Sequence, residues 1–179
     1  VGSIWVSPLL PYFKTLPNHS FWEHIIKHKD FKKHSIESNP VLILKRSDIH
    51  PFYSNEGQSE KKGYGTSRRG LIDIDEYINK HKTQEVNIKA YEPGKHSLFH
   101  QIITFQNASG IIGIKGAEFA NLLWLKEGTK VVLIKPSQMK SPNIQQKLCE
   151  MLNLNFIELV SDTGNHPSIL TLEPITYFQ

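Results

Sequence analysis

The residues best placed to do chemistry in this chain crowd one corner, Gly113-Ile-Lys-Gly-Ala117. A short apolar strand over residues 110–114 is expected to run through this glycine-centred turn into a helix over 117–125. Such a junction turns bare backbone N–H groups and a helix N-terminus toward the same space, which suits an anion. Lys115 puts a cation at the same corner, so a phosphate-bearing ligand is the first expectation, with the N–H groups of Gly116 and Ala117 beside it. Asn121, one helical turn on, is read chiefly as a brace for the turn. Two arginines could join this corner: Arg46, at the end of an earlier strand, and Arg69, from a long polar loop that also holds Arg68. Guanidinium groups converging on one rim would neutralise a diphosphate through charge-assisted hydrogen bonds. Lys45 and Lys135 also flank strands, and there the plain reading is solvation.

Other chemistries find less support. Gly110, Gly113 and Gly116 are spaced by three, and no G-x-G-x-x-G follows the first strand, which disfavours a nicotinamide enzyme. There is no Walker lysine motif and no G-x-S-x-G elbow. His24/His28 and His96/His100 have the i, i+4 spacing of two ligands on a helix face, but neither pair has a third ligand at convincing spacing, so no metal is expected. Cys149, the single cysteine, falls on an amphipathic segment and reads as a small core residue.

The elements that must hold these residues alternate. Strands are expected at 41–45, 85–90, 110–114, 130–134 and 156–159, with helices at 73–81, 97–106, 117–125 and 144–152 between them. Asp73-Ile-Asp-Glu76 is a capping signal, and so is Ser20-Phe-Trp-Glu23, which opens a helix to about residue 28. This order predicts an α/β, Rossmann-like parallel sheet covered on both faces by right-handed crossovers. Ligands of such sheets lie beyond the carboxyl ends of the strands, where Arg46, Lys115 and Gly116 stand. The polar stretch 47–70 is too long for an ordinary connection and reads as a functional or disordered loop. Residues 1–40 form an extended segment and helix, a linker or remnant of an N-terminal half, and 41–179 form the domain proper.

At 179 residues the chain suits one well-packed domain. Its net charge of +4 fits an anionic ligand or a membrane surface without demanding nucleic acid. No run is long enough to span a bilayer. The lone cysteine and the lack of an export pattern point to a cytoplasmic setting, and a start at Val1 rather than Met leaves room for a preceding half.

Residues 41–136 resemble the conserved region of glycosyltransferase family 61, which includes capsular-polysaccharide enzymes and plant xylosyltransferases. The strand-end arginine is Arg46, and the arginine-rich loop is Ser67-Arg-Arg-Gly-Leu-Ile-Asp73, with Glu76 in the helix after it. Gly113-Ile-Lys-Gly-Ala117 with Asn121 and Leu122-Leu-Trp124 matches the signature turn, and Gly128 precedes the next strand. Three positions depart from the pattern. Lys115 stands where histidine is usual, His100 where an acidic residue is usual, and Leu133 about where a glutamate follows the next strand.

The resemblance implies one half of a GT-B-type glycosyltransferase, the donor-binding half. It implies an inverting, metal-independent transfer from a nucleotide sugar, a UDP-sugar first, to a hydroxyl of a glycan or glycoconjugate in surface polysaccharide synthesis. No cofactor is implied. Arg46 and Arg69 are expected on the diphosphate, Lys115 at the leaving group, and Gly113, Gly116, Ala117 and Asn121 around the donor. Partners would be the donor, the acceptor, and an N-terminal half or a membrane surface. A pyruvyltransferase-like enzyme and a non-catalytic nucleotide-sugar- or glycan-binding domain are the alternatives.

Overall fold

A computed structural model describes residues 39–47, 70–82, 86–137, 144–162, 164 and 166–179. The expected helix at Ser20, the two histidines His24 and His28, and Arg68 and Arg69 lie outside the described residues.

Five strands form one wholly parallel sheet: β1 (Val41–Leu44), β2 (Ile88–Tyr91), β3 (Gly110–Ile114), β4 (Lys130–Pro136) and β5 (Asn155–Ser161). Their order across the sheet is β2-β1-β3-β4-β5. The near-continuous apolar runs of β1 and β3 belong in the middle of a sheet covered on both faces, and every residue of both is buried. β2 and β5, which are only half-buried, are the edges.

Helices divide between the faces as the order requires. On one face α1 (Ile74–His81) covers Val41, Ile43 and Ile112, together with the C-terminal helix α4 (Ile169–Leu172) and a 3₁₀ helix, Pro174–Tyr177. On the other lie α2 (Leu98–Gln106), α3 (Ile144–Met151) and a 3₁₀ helix, Ala117–Trp124, over Leu42, Leu44, Ile111 and Leu133. The crossover from β1 moves to one side and that from β3 to the other. Right-handed connections then put their helices on opposite faces.

Within the described residues the expected strands and helices are present, with four corrections. The second strand is shorter than expected, starting three residues later and ending one later, at Ile88–Tyr91. Asp73 does not cap α1 with its side chain. It adopts φ 61°, and its carboxylate instead accepts a 2.5 Å hydrogen bond from the Ser168 hydroxyl, tying α1 to the chain's last segment. Leu133 lies inside β4 and is fully buried, so it is a core residue and not one that follows the strand. Finally, the helix after β3 is not an α-helix.

That 3₁₀ helix is eight residues long, whereas 3₁₀ runs longer than about four are uncommon. The sequence accounts for it. With three residues per turn, side chains three apart lie in one row. Phe119, Leu122 and Leu125 form a buried row in the core. Glu118, Asn121 and Trp124 form a second row that bonds to itself: the Asn121 amide donates to the Glu118 carbonyl at 3.3 Å, and the Trp124 indole donates to Asn121 Oδ1 at 3.2 Å. Ala117, Ala120 and Leu123 form the third row, on the side toward α3, where Leu123 also packs against the core.

Candidate active site

β1 and β3 are neighbours, with Val41 level with Gly110 and Ile43 level with Ile112. Past their carboxyl ends the chain leaves β1 in one direction and β3 in the other. The crevice between two such departing chains is where open α/β sheets bind ligands. Arg46 follows β1 there, and Lys115 and Gly116 follow β3.

Arg46 Nε donates to Glu118 Oε1 at 3.2 Å, with the two side chains only 17% and 11% exposed. Glu118 folds back over Gly116. A Cβ on Gly116 would lie 2.5 Å from Glu118 Oε2 and 3.6 Å from the Arg46 guanidinium carbon. Gly116 has an extended backbone, φ −169° and ψ 179°, which any residue can adopt. Glycine there lets a carboxylate and a guanidinium rest directly on bare backbone, and a larger residue would make the tip of Glu118 move. This geometry sets an arginine and a carboxylate together over Gly116 at the carboxyl rim. The sequence reading missed Glu118 as the anion already present. Its position two residues past the glycine, on the first turn of the helix, was the available signal.

Gly113 does something different. A Cβ there would stand 2.7 Å from the Phe119 ring and 3.3 Å from Leu44 Cβ, so this glycine lets the 3₁₀ helix settle onto the sheet. Asn121 is buried and bonded within its own row, in the bracing arrangement. Lys115 is 8% exposed, and its backbone N–H donates to the Ile134 carbonyl at 3.2 Å, extending the β3–β4 pairing beyond the strand. Ala117 is exposed beside Gly116. The structure thus groups Arg46, Gly116, Ala117 and Glu118 at the rim, with Lys115 next in the chain and Gly113 beneath as a packing contact. Lys135 pairs with Glu158 at 3.4 Å, away from this group.

A second cluster stands on the same rim, beyond β2. The Tyr91 hydroxyl lies 3.0 Å from His100 Nδ1, and Thr104 Oγ1 lies 3.3 Å from the same nitrogen. His96 and His100 stack face to face, with ring centroids 4.3 Å apart and planes within 15°. His96 in turn stacks on Tyr91. Rings arranged in this way do not converge on a common point, and among the described residues no group of three metal-ligating side chains occurs. Burial raises the pKa of Tyr91, against the opposing hydrogen bond with Thr104. Burial, followed by the nearby Glu150, pushes the Cys149 thiol up to about 12, as befits a core residue.

The sequence profile of Glycosyltransferase 61 matches residues 6–132, more than half of the chain. The chain belongs to glycosyltransferase family 61. As a family-61 chain it is assigned, in general terms, to transferring a sugar from a donor to an acceptor. The match spans β1, β2 and β3 and ends in β4, so Arg46, Lys115, Gly116 and Glu118 all lie within it. A search of curated proteins returns no match.

Proposed function

We propose that this family-61 chain is the donor-binding half of a GT-B-type glycosyltransferase. Its nucleotide-sugar donor would place the diphosphate at the β1/β3 crevice. The observation that carries this reading is Arg46 meeting a carboxylate over the bare backbone of Gly116, at the point where the two strands' continuations part. A phosphate oxygen makes the same demand on an arginine as a carboxylate does, and Arg46 can engage it through two parallel N–H bonds.

In the transfer, an acceptor hydroxyl oxygen attacks the anomeric carbon and gives up its proton. The bond from that carbon to the diphosphate breaks, and the diphosphate leaves with the electron pair. Negative charge grows on the departing oxygen, where preorganised donors are worth most. Arg46 and the N–H groups of Gly116 and Ala117 would meet that charge, with Lys115 as the nearby cation and Arg69 as a second guanidinium. A lysine holds charge there but cannot trade a proton near neutral pH as a histidine can. Its role would be electrostatic.

A screen of melting temperature against nucleoside diphosphates tests the proposal. At least one diphosphate should raise the midpoint by several degrees at millimolar concentration, by mass action on the folded state. Arg46→Ala should abolish most of that shift. If no nucleoside diphosphate moves the midpoint, the proposal fails. A non-catalytic nucleotide-sugar-binding domain is the second reading, favoured by the nearly buried lysine at the turn. It would be supported by binding without sugar transfer when the chain is assayed with its full-length protein.

A further inference from the structure

Tyr91, His96 and His100 form a three-ring group on the carboxyl rim beyond β2, and the transfer described above makes no use of it. Tyr91 and His100 lie side by side, their planes within 12° and the Tyr91 hydroxyl 3.0 Å from His100 Nδ1. His96 lies flat across them both, its centroid 4.9 Å from Tyr91 and 4.3 Å from His100. One face of the His96 imidazole is thus occupied, while the residue itself is exposed. We propose that the outer face of His96 is a platform on which a neutral pyranose ring of the acceptor stacks. The inference rests on the donor site proposed above and adds the place of the second substrate.

The platform is held in position by its own chain. The Gln101 amide donates to the His96 carbonyl at 2.9 Å, and the His96 N–H donates to the Pro93 carbonyl at 3.0 Å. An exposed aromatic ring already fixed in this way loses little freedom when a ligand settles on it.

The chemistry of the surface fits a sugar. An imidazole offers an apolar face and a polar edge, and among the described residues no hydrogen bond occupies the ring nitrogens of His96. A pyranose offers C–H groups on its face and hydroxyls around its rim. Face meets face through dispersion and weak C–H contacts, and edge meets edge through hydrogen bonds. A purely hydrocarbon partner would leave the nitrogens unmet. Two residues on, Leu98 adds apolar surface; at 60% it is the most exposed large apolar side chain among the described residues. Lys95 is paired with Glu92 at 2.9 Å, so the surroundings favour a neutral sugar over an acidic one.

The location suits an acceptor. β2 pairs with β1, and a Cβ on Gly94, two residues before His96, would run into the hydroxyl of Ser47, the residue after Arg46. That contact brings the platform to the Arg46 side of the rim, where an acceptor hydroxyl must stand to attack a carbon bound to the diphosphate.

The experiment titrates the full 179-residue chain with methyl β-glucopyranoside, methyl β-xylopyranoside and methyl β-galactopyranoside, with glycerol as a control that has hydroxyls but no ring face. At least one glycoside should shift the His96 ring signals in NMR along a saturating curve, half-complete on the order of 10 mM, and glycerol should not. Ligand-observed saturation transfer then compares variants. His96→Ala should weaken the glycoside about fivefold or more, and His96→Tyr, which keeps an aromatic face, should stay within about threefold of the parent. Unchanged melting midpoints show that both variants are folded. The inference is overturned if no glycoside moves the His96 signals, if glycerol moves them equally, or if folded His96→Ala binds like the parent. Pyrophosphate binding measured on the same samples separates the two readings. Its persistence beside a failed glycoside titration leaves the donor site standing, whereas glycoside binding without pyrophosphate binding supports the platform and removes the donor site.

Discussion

Gly113 and Gly116 are three residues apart in one motif, yet the same substitution should separate them. Gly113→Ala drives a methyl group into the Phe119 ring and Leu44, both in the core, where overpacking costs about 1–3 kcal/mol. Gly116→Ala meets the tip of the Glu118 side chain, which can swing aside, so its stability cost should stay below about 1 kcal/mol. Urea unfolding of the two variants checks the difference, and equal losses would refute it. The Glu118 carboxylate also makes a prediction of its own. It competes for Arg46 with any incoming anion, so Glu118→Gln should raise pyrophosphate affinity roughly threefold to tenfold, the range that freeing a largely buried arginine from a single hydrogen-bonded partner can supply. Weaker binding in that variant would mean that Glu118 orients Arg46 for the ligand rather than competing with it. Of this group, Arg46, Lys115 and Gly116 were legible in the sequence because strand ends can be counted from hydrophobic runs. Glu118 was not, because the sequence does not reveal that a side chain folds back over its own turn.

At the scale of elements, α1 is fastened to the C-terminal helices by three contacts. The Ile175 N–H donates to the buried Tyr77 hydroxyl at 2.9 Å, Asp73 accepts from Ser168, and Glu173 takes hydrogen bonds from Lys80 and His81. Partial burial pushes the Glu173 pKa up, but the bonds from Lys80 and His81 and their charges outweigh it and hold the carboxyl below its ordinary value. A carboxyl depressed on folding stabilises the protein fully above its unfolded pKa, and that contribution is lost as pH falls through the lower, folded pKa. Glu173 is substantially exposed, so the amount is modest, up to about 1 kcal/mol. Glu173→Gln should therefore lower the urea midpoint at neutral pH and match the parent in strong acid. A gap that persists unchanged into acid would exclude an ionic origin. The α1 boundaries were readable from apolar spacing, whereas its fastening was not, because the sequence pairs Asp73 most plainly with its own helix. The 3₁₀ helix shows the same limit. Apolar residues at 119, 122 and 125 carry the period of three, but a short apolar run beginning just after a glycine turn fits an α-helix nearly as well.

For the molecule as a whole, one face of the central strands is closed partly by residues 166–179. Deleting them should uncover Val41, Ile43, Ile112 and Ile134, an apolar patch that folded monomers rarely expose. The truncated chain should be poorly soluble or lack a cooperative thermal transition, and a soluble, sharply melting product would count against this closure. The alternating strand–helix order was legible because buried parallel strands read as plain hydrophobic runs between amphipathic stretches. Strand order followed less directly, since it depends on where each crossover turns. The two short C-terminal helices were missed because, at four residues apiece, they are too brief to display a period. Their distance along the chain from β1 has its own consequence. Val41 and Ile43 leave the ribosome first, and Ile169 and Ile175, which pack beside them, follow only after roughly ten seconds of elongation. During that interval the nascent sheet carries an unshielded greasy flank, which makes the pace of translation and the presence of a holding chaperone part of how this domain reaches its folded state.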